Sequence, residues 1–566
     1  MGELIYVNYE QFGAVGDGKT NDFAAIMAAH NYANENHLPV KTDSSKTYYI
    51  SDTRIDGEVK KIVIKTNADF GETHFIIDDS SFTSVDGTKV TSSHVFLVES
   101  DYPMETVTDR EILSKLDGMR EGVTKIDLKL GYPALIIPYD ENKHVYGRSG
   151  AGFKGSAQAL GPAMHETLLI DADGNIDPST PFIFEYDTVT KLQIIRTDIE
   201  HLTIQGGIFT TIAAHGADGA IDENLKKIKK FGYVNRGFAV NRSYTTVKNM
   251  RHYIEGEVTT EQHAKELRVG AHYQGFFTAS YANEVIFDSC VLTGRRYYKI
   301  CGTYDFSASH VNIIRLVNCT QSNFIMKNEA GEDVYSMAIS PLTGTRYCWG
   351  IGGTNFCKNM EYIGCTLSRF DAHQGLMNGK IIDTNINFIA LTGKGRMQIE
   401  NVNWYSVDEG ITNNAFVYLR GDYGSTWEGD IIVKNVNITA DDPENFAMVY
   451  HSYGNFEYGY ICTVPSLDVD NVKINGFEEG ASIPVIYDER SVKKEPALHL
   501  PMTTVTPFEK EDGTLEYVNH NPVCPPRYLK FKNSNYKFTI TEADFYKNTE
   551  LSGVEKVNVE EYENGK

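Results

Sequence analysis

The chain has 566 residues, 41% of them apolar and 23% charged, the composition of an ordinary globular protein. Lys and Arg total 53 against 76 Asp and Glu, a formal net charge of -23. That surface repels nucleic-acid phosphates and anionic lipid, so neither is expected as a partner, yet a local basic cleft could still take an acidic substrate. No run of eighteen apolar residues predicts a transmembrane helix. The N-terminal stretch has neither the basic nor the apolar region of a signal peptide. A cytoplasmic location is therefore expected, or a secreted one if the start is a trimmed end.

The first informative stretch is FGAVGDGKTNDFAAIMAAHNYA, from Phe12. Gly16, Asp17 and Gly18 predict a tight turn and Thr20 an N-cap. Phe23, Ile26, Met27 and His30 then follow at helical spacing. The string resembles the N-terminal signature of the pectate-lyase-like superfamily, GAxGDGxTDDTxAIxxA, with Asn21 and Phe23 replacing the usual acidic residue and Thr. The resemblance implies an all-β, right-handed, single-stranded parallel β-helix. It also implies that this short helix caps the open end of the coil and has no catalytic role.

Further along, Asp101 to Gln158 is rich in charge and predicts a loop insertion packed on the side. Then alternating apolar residues, broken by Asn, Cys or Gly, recur from His201, Thr245, Asn283, Asn312, Asn359, Arg396, Asp430 and Ser466. Short strands broken by a bend residue and repeated every few tens of residues predict a solenoid, with a ladder of Asn or Cys at the bends. The regular coils are expected over 195–476, after an N-terminal cap with the first coils over 1–194, and before a C-terminal extension over 477–566. Ile221 to Phe231 predicts a short helix in a second insertion. Among the eight cysteines, Cys290, Cys319 and Cys365 stand at matching places, and no pair has zinc spacing, so free buried thiols are expected.

Polar clusters follow several repeat units. SRFDAHQG (Ser368–Gly375) would place Arg369, Asp371 and His373 on one face of a strand. YLRGDYGSTWEGD brings Arg420, Asp422 and Trp427, while Glu428 and Asp430 are taken as turn residues. Earlier units bring Asp305, Arg346 and Tyr347. A pair of carboxylates flanked by Arg, His and aromatics suits glycosidic cleavage, one protonating the leaving oxygen and one activating water or attacking carbon. Asp371 and Asp422 are the expected acid/base pair, with Asp305 in reserve. His373, Arg346, Arg420 and Arg369 would orient carboxylates and bind substrate, and Tyr347 and Trp427 would offer flat faces to sugar rings. A solvated turn is the bland alternative for each of these short stretches.

The superfamily includes glycoside hydrolases, polysaccharide lyases, uronate epimerases and phage tailspikes. Neither the NTD, DD, GHG and RIK motifs of its polygalacturonases nor the WxDH of its pectate lyases is present, so no catalytic residue transfers from it. The expectation is a glycoside hydrolase acting on an oligo- or polysaccharide, without cofactor or metal. A polysaccharide lyase acting on a uronate, in which relatives use Arg and Lys and sometimes calcium, is the first alternative. A non-catalytic glycan-binding or tailspike-like protein is the second. The oligomeric state is left open, a homo-oligomer included.

Overall fold

The structure, a computed structural model, describes residues 5–78, 94–148 and 161–212. It also describes most of 234–475, outside 256–272, 336–350, 407–414, 452–464 and some shorter stretches, and several strands beyond 482. The predicted helix at Ile221–Phe231 lies outside the described residues. No helix among those described is long and apolar enough to cross a membrane.

One row of inward-facing side chains organises the molecule. Val7 pairs in parallel with Val40, Val40 with Ala68, Ala68 with Ile204, Ile204 with Val247 and Val247 with Phe287. The row continues through Leu316, Tyr362, Ile381, Ile399, Val433 and Val469 to Phe531. Every one of these residues is buried in a single apolar cluster. At ~4.8 Å per parallel step the row runs about 58 Å, the length of a stacked coil rather than a layer. The chain is thus a right-handed parallel β-helix, the hand that parallel crossovers adopt. No single coil could bury its own apolar face. Stacking supplies the core, helped by ring-on-ring contacts such as Phe75 with Phe209 and Phe96 with Phe238, at 4.5 Å and 4.4 Å.

The bends explain the recurrent Asn. Asn249, Asn318, Asn401, Asn435, Asn471 and Asn533 have φ between 51° and 55°. Asn tolerates this left-handed region because its short amide can bond locally. Here the amides bond along the stack: Asn401 donates to Asp383, Asn435 to Asn401 and Asn471 to Asn435, at 2.8–3.1 Å. The thiols form a second ladder. Cys290, Cys319 and Cys365 are buried and free, and each sulfur points at a carbonyl of the coil below.

The helix Phe23–Asn36 buries Phe23, Ile26, Ala29 and Ala33 against the first coils and closes that end of the core. Its N-cap is Asp22, not Thr20. Thr20 lies in the strand Asp17–Asn21 and bonds to Asp17, because the Asp22 carboxylate is better placed to accept from Val15 and Gly16. Gly16 and Gly18 turn with φ of 67° and 73°.

The inserted unit is longer than the charge pattern suggested. Strands Glu105–Val107, Ala134–His144, Ala163–His165, Leu168–Ile170 and Lys191–Arg196 make one antiparallel sheet with its own core around Phe182, Tyr186 and Leu192. Ile195 belongs to this sheet. Coils flank it on both sides, from the first strands to Phe96–Glu99 and again from Leu202–Gln205. Parallel stacking also continues past 476, since Leu467 pairs with Leu529 and Tyr528 with Asn558.

Candidate functional site

The strand Arg369–Gln374 carries the expected row of polar heads. It stacks in register on Phe388–Leu391, which stacks on Ala415–Leu419, so Asp371 lies over Ala390 and Ala390 over Tyr418. Arg420 follows directly on that last strand and reaches back across the stack. Its Nη1 donates to both Asp371 oxygens, at 2.8 and 3.1 Å. Arg369 pairs with the same carboxylate, and His373 Nδ1 stands 3.4 Å from it. Arg369 is held by the ring of Phe388 beneath its guanidinium and by Tyr362, which donates to its carbonyl oxygen.

The electrostatics of this cluster decide what Asp371 can do. The residue is 0% exposed. Burial pushes its carboxyl up, but the guanidiniums of Arg369 and Arg420 and the ring of His373 outweigh it and hold the group at about 2. An ionised, enclosed carboxylate neither donates a proton at neutral pH nor reaches a sugar. Asp371 is thus an anchor that orients Arg420 and His373, and this corrects its expected role as one of an acid/base pair.

The rest of the cluster is only partly covered, with 15% of the His373 and 11% of the Arg420 side chain exposed. His373 meets the edge of the Tyr423 ring at 5.8 Å, and Arg420 lies 5.2 Å from the same ring. Arg148, from the inserted unit, lies 5.4 Å from it. The inserted unit is tied down beside them by Gln374, which donates to the Tyr146 carbonyl. Two glycines allow the close approach. A Cβ on Gly353 would stand 2.8 Å from His373 Nδ1, and Gly375, with φ of 63°, abuts the Tyr146 ring. The site is therefore a rim where Arg148, His373, Arg420 and Tyr423 converge. Its described charge is cationic, with Asp371 already committed to its partners.

The remaining expected residues are placed differently. Asp305 is 1% exposed in the lumen. It accepts from His252 Nδ1 at 2.6 Å and from the backbone of Thr293 at 2.5 Å, while His252 Nε2 meets Thr211 Oγ1 at 2.9 Å under the stacked ring of Phe276. It is a structural carboxylate with no access to solvent, which corrects its reserve catalytic role. Trp427 is fully buried in the core and donates to the Asp430 carbonyl, so it offers no face to a sugar. Asp422, Arg346 and Tyr347 lie outside the described residues.

Three groups were missed. Arg148 and Tyr146 come from a segment with no repeat signal. Glu428, taken as a turn residue, begins the strand Trp427–Thr439 and sits opposite Lys394, which pairs with Glu121 at 3.2 Å. Burial pushes the Glu428 carboxyl up to about 8, Lys394 opposing and Glu121 reinforcing the shift. Among the described residues no group of three or more His, Cys, Asp or Glu could hold a metal ion.

No family model matches the sequence, and no curated protein matches it. Solved structures are similar to it at low identity and low TM-score. A tailspike of Pseudomonas phage phi297 is 10% identical, with a TM-score of 0.42 over 85% of this chain and 80% of that one. A tailspike of Acinetobacter baumannii bacteriophage AP22, solved with capsular saccharide, is 9% identical, with a TM-score of 0.27 over 86% and 78%. A family 28 exopolygalacturonase of Yersinia enterocolitica is 10% identical, with a TM-score of 0.30 over 96% and 78%. The fold itself rests on the chain's own strand register, which makes it a parallel β-helix protein.

Proposed function

We propose that this is a carbohydrate-active β-helix protein whose rim takes an acidic glycan and cleaves it by β-elimination. The observation that carries the reading is the convergence of Arg148, Arg420 and His373 on Tyr423, with Asp371 ionised behind them. Hydrolysis asks for one carboxyl that donates a proton, and Asp371, held at about 2, does not supply it. Elimination asks for something else: cations to neutralise the uronate carboxylate and a base for the proton beside it.

Each residue has a role in that chemistry. Arg420 and Arg148 take the uronate carboxylate, Arg being suited to paired hydrogen bonds with it. Asp371 beside Nδ1 favours a proton there and leaves His373 Nε2 as the basic nitrogen. That nitrogen accepts the C5 proton, the electron pair forms the C4–C5 double bond, and the C4–O bond breaks. The Tyr423 hydroxyl gives its proton to the departing oxygen.

Acidic and neutral oligosaccharides incubated with the protein, with unsaturated ends and reducing ends both measured, provide the test. Unsaturated products from acidic glycans alone, lost in His373→Ala, are expected. Reducing ends without unsaturation would reject elimination. They would point to the second reading, hydrolysis, which one observation favours: the Glu428 carboxyl is pushed up to about 8, the range of a general acid at neutral pH.

A further inference from the structure

The inserted unit rests on the coils through a stack of rings. Tyr281, His310 and Phe356 occupy bends with φ of 54°, 56° and 52° on adjoining coils. His310 stacks on Tyr281 at 4.8 Å and on Phe356 at 5.4 Å. From the inserted sheet, His165 meets His310 edge to edge, ring centroids 4.9 Å apart, and stacks on Tyr139 at 4.7 Å. The two histidines also bond directly, Nε2 to Nε2, at 2.7 Å.

Only some proton arrangements satisfy this contact. His165 Nδ1 is 2.7 Å from the Ala163 carbonyl, which can only accept, so Nδ1 carries the proton and Nε2 is bare. His310 Nε2 must then be the donor, and His310 Nδ1 accepts from the Ser309 hydroxyl at 2.7 Å. Both rings are neutral. One added proton is housed only by reversing the Ser309 bond and leaving a cation inside the ring stack. A second sets N–H against N–H.

The surroundings do not favour a cation. The inserted unit presents Tyr139, which donates to Gln193, and Lys191, whose ammonium lies 3.9 Å over the Tyr139 ring and pairs with Glu141. The coils present Tyr281, Ser309 and Phe356. Among the described residues no carboxylate pairs with either imidazole. Burial accordingly pushes His165 down to about 4 and His310 to about 3.

We propose that the His165–His310 contact is an acid-sensitive latch, holding the inserted unit and its Tyr146–Arg148 wall on the coils at neutral pH and releasing them on acidification. The sign follows from linkage. In the undocked chain both rings titrate near their ordinary 6.5, so the undocked state binds more protons between about pH 6.5 and 4. Docking is complete above that window and is lost progressively through it. From pH 7.5 to 4.5 the opening constant rises roughly a hundredfold if one ring is released, and about ten-thousandfold if both are.

Amide hydrogen exchange on the full chain, corrected for intrinsic rates, tests the latch. Segments 134–146 and 163–170 should open by that factor between pH 7.5 and 4.5, well beyond coil segments such as 376–400. His165→Phe combined with His310→Phe keeps the stack and should abolish the excess. Equal opening of insert and coils, or an unchanged excess in the double variant, overturns the proposal. Exchange at the imidazole C2 position of the unmutated protein reads both titrations directly. Values near 6.5 in the docked chain would also overturn it, whatever the protein does to glycans.

Discussion

Two buried aspartates with histidine partners lie in this molecule, and they do opposite things. Asp305 sits in the lumen with one imidazole and one backbone N–H, under a phenyl ring. The network runs on from His252 to Thr211. Asp371 sits a few coils away with two guanidiniums and an imidazole around it. Arg420 and His373 meet Tyr423 at the rim. The first cluster closes inside the core, whereas the second orders guanidiniums at an edge. Such a local gathering of guanidiniums lets a chain of net charge -23 meet an acidic ligand.

Asp371→Asn should have the largest effect, because it removes the buried carboxylate that Arg369 and Arg420 share. A loss of about 3–5 kcal/mol in denaturant unfolding is expected, together with loss of glycan turnover. Asp305→Asn should lose about 1–3 kcal/mol, the amide still accepting from Thr293. Equal losses in the two variants would erase the distinction. Sharper evidence comes from function: His373→Ala should lower turnover roughly 10²–10⁴-fold with stability nearly unchanged. Thr211→Val, at the closed end of the lumen network, should lose about 1 kcal/mol and leave turnover untouched. Near pH 5 the smallest effect is expected for Glu428→Gln. A carboxyl raised to about 8 from an ordinary 4.5 favours the fold at low pH, and that contribution is lost as pH climbs from 4.5 through 8. The variant should therefore match the parent near pH 5 and melt later than it at pH 9.

How much of this could be read from residues alone depends on the range of the interaction. The coil was legible because its cause is local and periodic: alternation gives strands, and Asn tolerates the bend conformation. The row in SRFDAHQG was legible for the same reason, since strand parity puts Arg369, Asp371 and His373 together. What parity cannot tell is whether that face looks in or out. Trp427 was expected outward and points into the core, where a one-residue difference in phase reverses every side chain. The last strand of the inserted sheet, Lys191–Arg196, begins with the alternation of a coil strand, which hid the sheet's far boundary. Arg148 reaches the rim, and His165 reaches His310 across 145 positions, only through that sheet's docking, and no local pattern encodes it.

The sulfur ladder has a practical consequence. Burial pushes the thiols of Cys319 and Cys365 far above their ordinary range, so neither forms the thiolate that alkylating reagents attack. Labelling at these two positions must wait until the middle coils part. The chain thus carries a chemical clock for the opening of its central turns, one that an alkylating reagent reads without any engineered residue.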